Sequence, residues 1–349
     1  MTTAAPDAHA VGTREVRDAS LLLVDKPAGM TSHDVVAVAR RTLRERRIGH
    51  HGTLDPFATG LLVLLVGRAT RLAPWIEGEP KVYRATISFG SETDTHDLTG
   101  NVVREAPLPD AEAIDSAILG LQGRIMQLPP KFSAKKVGGV KAYEAARRGE
   151  ELELAPVPVT IYEWDIESRS PGELVARITC SGGTYIRALA RDLGVNSGSA
   201  AHLTGLRRLA AGPLAVTDSV TVDELRDGNA PLVSPLVAMG LLHRVELSEE
   251  ELTHVVHGRA IDADGRAMAV HPAAEGLPAR SGHAAAEVAS LDGSAGSVED
   301  TVPEGGPDPA ASRAALVAPD GTLAAVADLR NGRWMPRVVV FGTGGNSGA

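Results

Sequence analysis

The stretch GHHGTLDP, residues 49 to 56, places one carboxylate, Asp55, on a glycine-rich polar turn followed at once by Pro56. Pro56 fixes its own φ and pushes Asp55 toward an extended conformation. Gly49, Gly52 and Gly60 admit backbone geometries or close approaches that a Cβ would block. A carboxylate held this way can attack an electrophilic carbon or stabilise charge on a detached group. A retaining glycosidase wants a second carboxylate beside the first, and no comparable motif supplies one. No zinc-spaced Cys/His set is present, and no glycine-rich nucleotide-binding fingerprint opens a helix, since GTGGNSGA is terminal. Asp94, His96 and Asp97 in SETDTHDLTG lie too near in sequence, without a second ligand set, to favour a metal. No cofactor and no metal are expected. On residues alone, GHHGTLDP also reads as an Asp-Pro turn joining a helix to a strand.

The elements that must position Asp55 follow from periodicity. Leu61 to Val66 is an apolar run with the length and branching of a buried strand. Leu21 to Val24 predicts a short strand, ending in the turn DKPAGMTS. Thr31 or Ser32 can N-cap a helix that runs to about Arg47, with Asp34 in its first turn and Val35, Val38, Ala39 and Leu43 at helical spacing. TRLAPWI predicts a short helical turn, and KVYRATISFG alternates as a strand does, carrying Tyr83. A strand tyrosine is also an ordinary packed ring. Residues 110 to 121 predict a helix, Val157 to Ile166 and Leu174 to Cys180 strands, and SGGTYIRALARDLG a turn into a helix.

Composition bounds the function classes. The chain has 349 residues, 43% hydrophobic and 3% aromatic, enough for two domains with aliphatic cores. A single cysteine, Cys180, excludes an intramolecular disulfide and suits a reducing, cytoplasmic location. The first 20 residues do not read as a signal peptide. No apolar run reaches the ~18–20 residues that span a bilayer. The net charge of −9 argues against a generic nucleic-acid binder. The acidity is uneven, however: residues 271–313 hold two Arg against seven Asp or Glu. Basic residues gather at Arg40, Arg41, Arg44, Arg46 and Arg47, at Arg68, Arg71, Arg207 and Arg208, and between Lys131 and Arg148. A local patch, not total charge, neutralises phosphates. The same clusters also suit solvated faces.

GHHGTLDPFATGLLVLLVGRATRL resembles the signature of the bacterial tRNA pseudouridine synthase B family, which modifies uridine 55 in the tRNA T-loop. Further resemblances are DKPAG, Lys-x-Tyr around Tyr83, TDTHD, PPKFSAKK, GTYIRAL and HLTGLRRLAAGP, spread over most of residues 20 to 240. The resemblance implies Asp55 as the catalytic Asp, Tyr83 stacking on a flipped base, and Arg187 paired with Asp55. It also implies substrate-binding roles for His50, Tyr185, Leu206 and Lys26; His51 has no such match. Phe132 stands where the family commonly has Tyr. The implied fold is α+β: a mixed, mostly antiparallel sheet flanked by helices, with a thumb-like insertion at 127–150 and a small β-rich C-terminal domain similar to the PUA RNA-binding domain. The implied domains are a catalytic body at 20–243 and a C-terminal module at 244–343 interrupted by a disordered acidic insertion at 271–313, with disordered tails at 1–19 and 344–349. The implied partner is tRNA, bound by a monomer without a membrane or protein partner. The competing expectations are a non-catalytic RNA-binding or tRNA-folding protein on the same scaffold, and a guide-RNA-dependent relative.

Overall fold

The apolar run behind the Asp55 loop is a strand, Thr59–Gly67, buried almost throughout. A computed structural model of the chain describes residues 19–76, 78–132, 136–137, 140–141, 148, 154–240, 242–263 and 312–341. In chain order these form β1 (Ala19–Lys26), α1 (Ser32–Leu43), β2 (Ile48–His51), β3 (Thr59–Gly67), a 3-10 helix (Arg68–Trp75) and β4 (Lys81–Phe89). Then come β5 (Ser91–Thr93), β6 (Val102–Glu105), α2 (Ala111–Leu121), β7 (Gly123–Gln127), β8 (Lys136–Val137) and β9 (Val140–Lys141). β10 (Val157–Ser170), β11 (Glu173–Cys180), α3 (Ile186–Asn196) and β12 (Ala201–Ala211) follow, with β13 (Leu214–Ala215), β14 (Val220–Thr221) and β15 (Leu232–Val233). The C-terminal part holds β16 (His243–Glu246), β17 (Ile261–Asp262), β18 (Arg313–Val317), β19 (Leu323–Arg330) and β20 (Arg333–Val339).

An 11-stranded sheet runs β14-β1-β3-β12-β4-β11-β10-β7, with β2 on β3, β13 on β12 and β15 on β1. Most pairs are antiparallel, whereas β1–β14 and β3–β12 are parallel. This is the expected mixed, mostly antiparallel sheet. A second, five-stranded sheet runs β16-β18-β19-β20-β17.

The runs Leu21 to Val24 of β1 and Leu61 to Val66 of β3 are apolar at every position because both their faces are covered. Leu22, Val24, Leu62, Leu64 and Val66 pack with Val35, Val38 and Ala39 of α1. Leu21, Leu23, Leu61, Val63 and Leu65 pack with Ala315, Val317, Leu323 and Val326 of the C-terminal sheet. Arg68 and Arg71 fasten the same junction, donating to the carbonyls of Phe341 at 2.7 Å and Val339 at 3.3 Å.

α1 starts where its cap predicts: Thr31 accepts from the Asp34 N–H and the Asp34 carboxylate accepts from Thr31 in return. It ends earlier than expected, at Leu43, because Arg44 adopts φ +53 and turns the chain into β2. Only Arg40 and Arg41 of the five arginines therefore lie in its last turn. The expected tail at 1–19 falls outside the described residues except Ala19, which begins β1, and the tail at 344–349 falls wholly outside. The insertion at 271–313 also lies outside them, except Ser312 and Arg313; Arg313 already belongs to β18. The thumb region 127–150 is described only at Gln127–Phe132, β8, β9 and Arg148.

Candidate active site

The Asp55 loop joins β2 to β3, and the DKPAGMTS turn after β1 grips it. The Gly29 N–H donates to the Pro56 carbonyl at 2.8 Å. Lys26 Nζ donates to the same carbonyl at 3.3 Å and to those of Met30 and Pro27 at 2.7 and 3.0 Å. Ser32 Oγ accepts from the Leu54 N–H at 3.0 Å and donates to the Leu54 carbonyl at 3.2 Å. These bonds satisfy loop backbone that is partly cut off from water. Lys26 is fully buried, and burial pulls its pKa down to about 8 against the opposing pull of Asp55. Its ammonium donates to three carbonyls, so Lys26 shapes the loop from beneath.

Arg187, in the first turn of α3, reaches the Asp55 carboxylate across 132 residues of sequence. Its Nε donates to Oδ2 at 2.8 Å and its Nη2 to Oδ1 at 3.2 Å, a bidentate fork. Nη1 also donates to the Thr95 carbonyl at 3.0 Å and Nη2 to the Phe132 carbonyl at 2.8 Å. The Arg187 side chain is 5% exposed and that of Asp55 36%, so a fixed cation holds a carboxylate that still opens outward.

Sequence reasoning weighed Asp97 only as a metal ligand. Its Oδ2 lies 3.7 Å from Arg187 Nη1, and both side chains are 5% exposed. Its Oδ1 accepts from Thr95 Oγ1 at 2.8 Å and from the Thr99 N–H at 2.9 Å. The acidic turn that raised the question of a metal thus backs Arg187 with a second carboxylate. The available signal was the threonine spacing around Asp97, which suits local side-chain-to-backbone capping.

Tyr83 points inward from β4 and is 7% exposed. Burial pushes its phenol pKa up; the Arg208 charge acts the other way, and the Asp55 charge adds to the rise. Leu206, at 9% exposure, sits on the neighbouring β12 opposite Ala85. Tyr185 precedes α3 and is clamped by the buried Gln127 side chain, which accepts from its N–H at 2.9 Å and donates to its carbonyl at 3.1 Å. His50 lies on β2, with its ring edge-on to His33 at 5.2 Å and Nε2 3.2 Å from Thr53 Oγ1. Burial lowers its pKa to about 4, so it is neutral at pH 7. His51, which has no family match, packs against Gly78, and burial lowers its pKa to about 4 as well. Cys180 is fully buried, and burial pushes its thiol up to about 12, which fits a small hydrophobe.

Two arginines leave the expected RNA-facing set. Arg207 forms a bidentate pair with Asp25 at 2.9 and 2.7 Å. Arg208 is 1% exposed and donates to the carbonyls of Leu61 at 2.7 Å and Gly52 at 2.8 Å. Arg40, Arg41, Arg44, Arg46, Arg47 and Lys131 remain exposed.

Comparison with known proteins identifies the family. Residues 40–186 match the TruB family pseudouridylate synthase N-terminal domain. The tRNA pseudouridine synthase B of Arthrobacter sp. (strain FB24) is 43% identical over 267 residues, 74% of this chain and 87% of that protein. That of Thermobifida fusca (strain YX) is 45% identical over 257 residues, 70% of this chain and 87% of that protein. Among solved structures, the archaeal box H/ACA sRNP Nop10-Cbf5 complex contains a similar fold. It has a TM-score of 0.62 at 18% identity and covers 93% of this chain and 87% of that one. On this degree of likeness to its members, the chain belongs to the TruB family of pseudouridylate synthases.

Proposed function

We propose that this pseudouridine synthase isomerises the uridine at position 55 in the T-loop of tRNA, with Asp55 as nucleophile. The observation that carries the reading is the bidentate hold of the buried Arg187 on Asp55, beside the phenol of Tyr83. The relatives' name, tRNA pseudouridine synthase B, supports tRNA as the substrate.

The reaction breaks the bond from N1 to C1′, turns the base and joins C5 to C1′. The C5 proton leaves and N1 takes one up, so neither an oxidant nor an external nucleophile is consumed. Asp55 attacks the nucleotide and holds it while the base is detached. Arg187 aims the carboxylate, whose open side meets the substrate. The target uridine lies inside a folded loop and must be flipped out to reach that side. Tyr83 then offers its ring for stacking, Leu206 and Tyr185 line the pocket, and His50 enters the stack that the base has left. Being neutral, His50 does so without desolvating a charge. The C-terminal sheet serves as a PUA-like RNA-binding module. The protein acts as a monomer on cytoplasmic tRNA.

The test is to map pseudouridine along a whole unmodified tRNA transcript after incubation with the purified chain. Conversion confined to the T-loop uridine is the expected result. Conversion elsewhere only, or binding without conversion, would contradict it; the latter is what a non-catalytic RNA-folding protein would give.

A further inference from the structure

Arg208 and Tyr83 are direct cross-strand partners of β12 and β4, so their side chains leave the sheet on one face. The guanidinium is 1% exposed, and among the described residues no carboxylate pairs with it. Its hydrogen-bond partners are the Leu61 carbonyl on β3 and the Gly52 carbonyl in the Asp55 loop, and its charge acts on the Tyr83 phenol. The packing around it is tight. A Cβ on Gly60 would lie 2.2 Å from the Arg208 carbonyl oxygen, and one on Gly52 would lie 3.2 Å from Arg208 Nη1.

As a purely structural element this is a poor arrangement. Lys81 is its neighbour, and its pKa is lowered by burial first and by the Arg208 charge second. An apolar side chain of similar length would fill the space without a desolvated, crowded cation. What the guanidinium alone provides is a planar fork that meets two carbonyls at set angles and carries its charge beside a phenol. Those groups belong to the loop that carries Asp55, the strand behind it, and Tyr83.

We propose that Arg208 is a positioning residue for the isomerisation, holding the Tyr83 phenol in register with the Asp55 loop. The inference rests on the reading that Tyr83 serves the reaction. Arginine has no acceptor, so it can only donate to the phenol oxygen. The phenol's own proton is thereby turned toward other acceptors in the cleft.

The test is a double-mutant cycle on the full chain with tRNA transcript, measuring kcat and KM for wild type, Arg208→Lys, Tyr83→Phe and the pair. Lysine keeps the charge but loses the fork. Arg208→Lys should lower kcat by about 10- to 100-fold, the scale of a misplaced reacting group, and leave KM nearly unchanged. In the Tyr83→Phe background the same substitution should cost less than about 2-fold, because the oxygen it positions is already gone. A readout independent of turnover is the Cζ resonance of Tyr83 in 13C-tyrosine-labelled protein, which should move in Arg208→Lys. Equal fractional losses in both backgrounds, a loss confined to KM, or an unmoved resonance would overturn the proposal. A wild-type protein that makes no pseudouridine would instead overturn the functional reading beneath it.

Discussion

Asp97 touches Arg187 rather than the Asp55 carboxylate, and this separates two kinds of loss. In Asp97→Asn the charge that backs the Arg187 guanidinium disappears while the side-chain shape stays. The expected outcome is a fall in kcat of about 10- to 100-fold with tRNA affinity retained, from loosened aim of Asp55. Parallel rate and filter-binding measurements check it, and a loss of affinity alone would count against it. The histidines make a second prediction. Burial holds His50, His51 and His96 at about 4, below their ordinary 6.5. The unfolded chain therefore takes up protons first as pH falls. Stability from this source is intact above 6.5 and is lost as pH falls from 6.5 through 4. Urea midpoints should drop across that window, and His51→Gln with His96→Gln should make the drop shallower. Of the site residues, Asp55 was legible as a carboxylate on a tight loop because Pro56 and the glycines mark its turn, and its catalytic role came through resemblance. Arg187, Tyr83, Tyr185 and Leu206 were legible only through resemblance, since one residue in a helix or strand carries no mark of what it faces. Asp97 and Arg208 were not legible as site residues. Their roles depend on partners about 90 and 125 to 156 residues away, and a cation in a run of Leu-Arg-Arg-Leu reads as surface.

At the scale of elements, the junction of β3 and β12 is the tightest point behind the site. Gly60 has φ +99 and no room for a Cβ against the Arg208 backbone. Gly60→Ala should destabilise the fold by about 3 kcal/mol or more, combining overpacking with left-handed strain. Gly29 has φ +84 but nothing within 4 Å of where its Cβ would lie. Gly29→Ala should cost about 1 kcal/mol, the strain alone. Urea unfolding of the two variants compares them directly, and equal losses would contradict the steric argument. Strands with one clear period were readable, as in β4, whose Tyr83, Ala85, Ile87 and Phe89 are all buried. β3 was readable as an apolar run, although nothing in the run tells that the C-terminal sheet supplies half its cover. β12 was not read as a strand: its two register shifts break the alternation, and Arg207 and Arg208 interrupt its apolar pattern. The early end of α1 was hidden because Arg44, not glycine, adopts the left-handed conformation there.

For the whole molecule, the question is how a chain of net charge −9 holds an RNA. Charges more than ~8 Å apart are largely screened at physiological salt, so the local face decides. With Arg207 paired and Arg208 buried, the clusters expected to meet RNA keep exposed cations from Arg40 to Arg47, where Arg47 meets the Gly67 end of β3, and at Lys131. Affinity for tRNA should fall with salt at a slope of about −0.7 to −0.9 per phosphate neutralised. Replacing Arg44 and Arg46 by Gln should make that slope shallower by about one unit for each phosphate that is no longer neutralised. A salt-independent affinity would place the RNA elsewhere. The most direct single test of the central claim, that Asp55 is the reacting group, is pseudouridine mapping in T-loop RNA with wild type and Asp55→Asn at equal saturation. The amide is close in size to the carboxylate and can still accept from Arg187, so folding and RNA binding should persist while pseudouridine falls to background. Pseudouridine formed by Asp55→Asn at near the wild-type rate would contradict it.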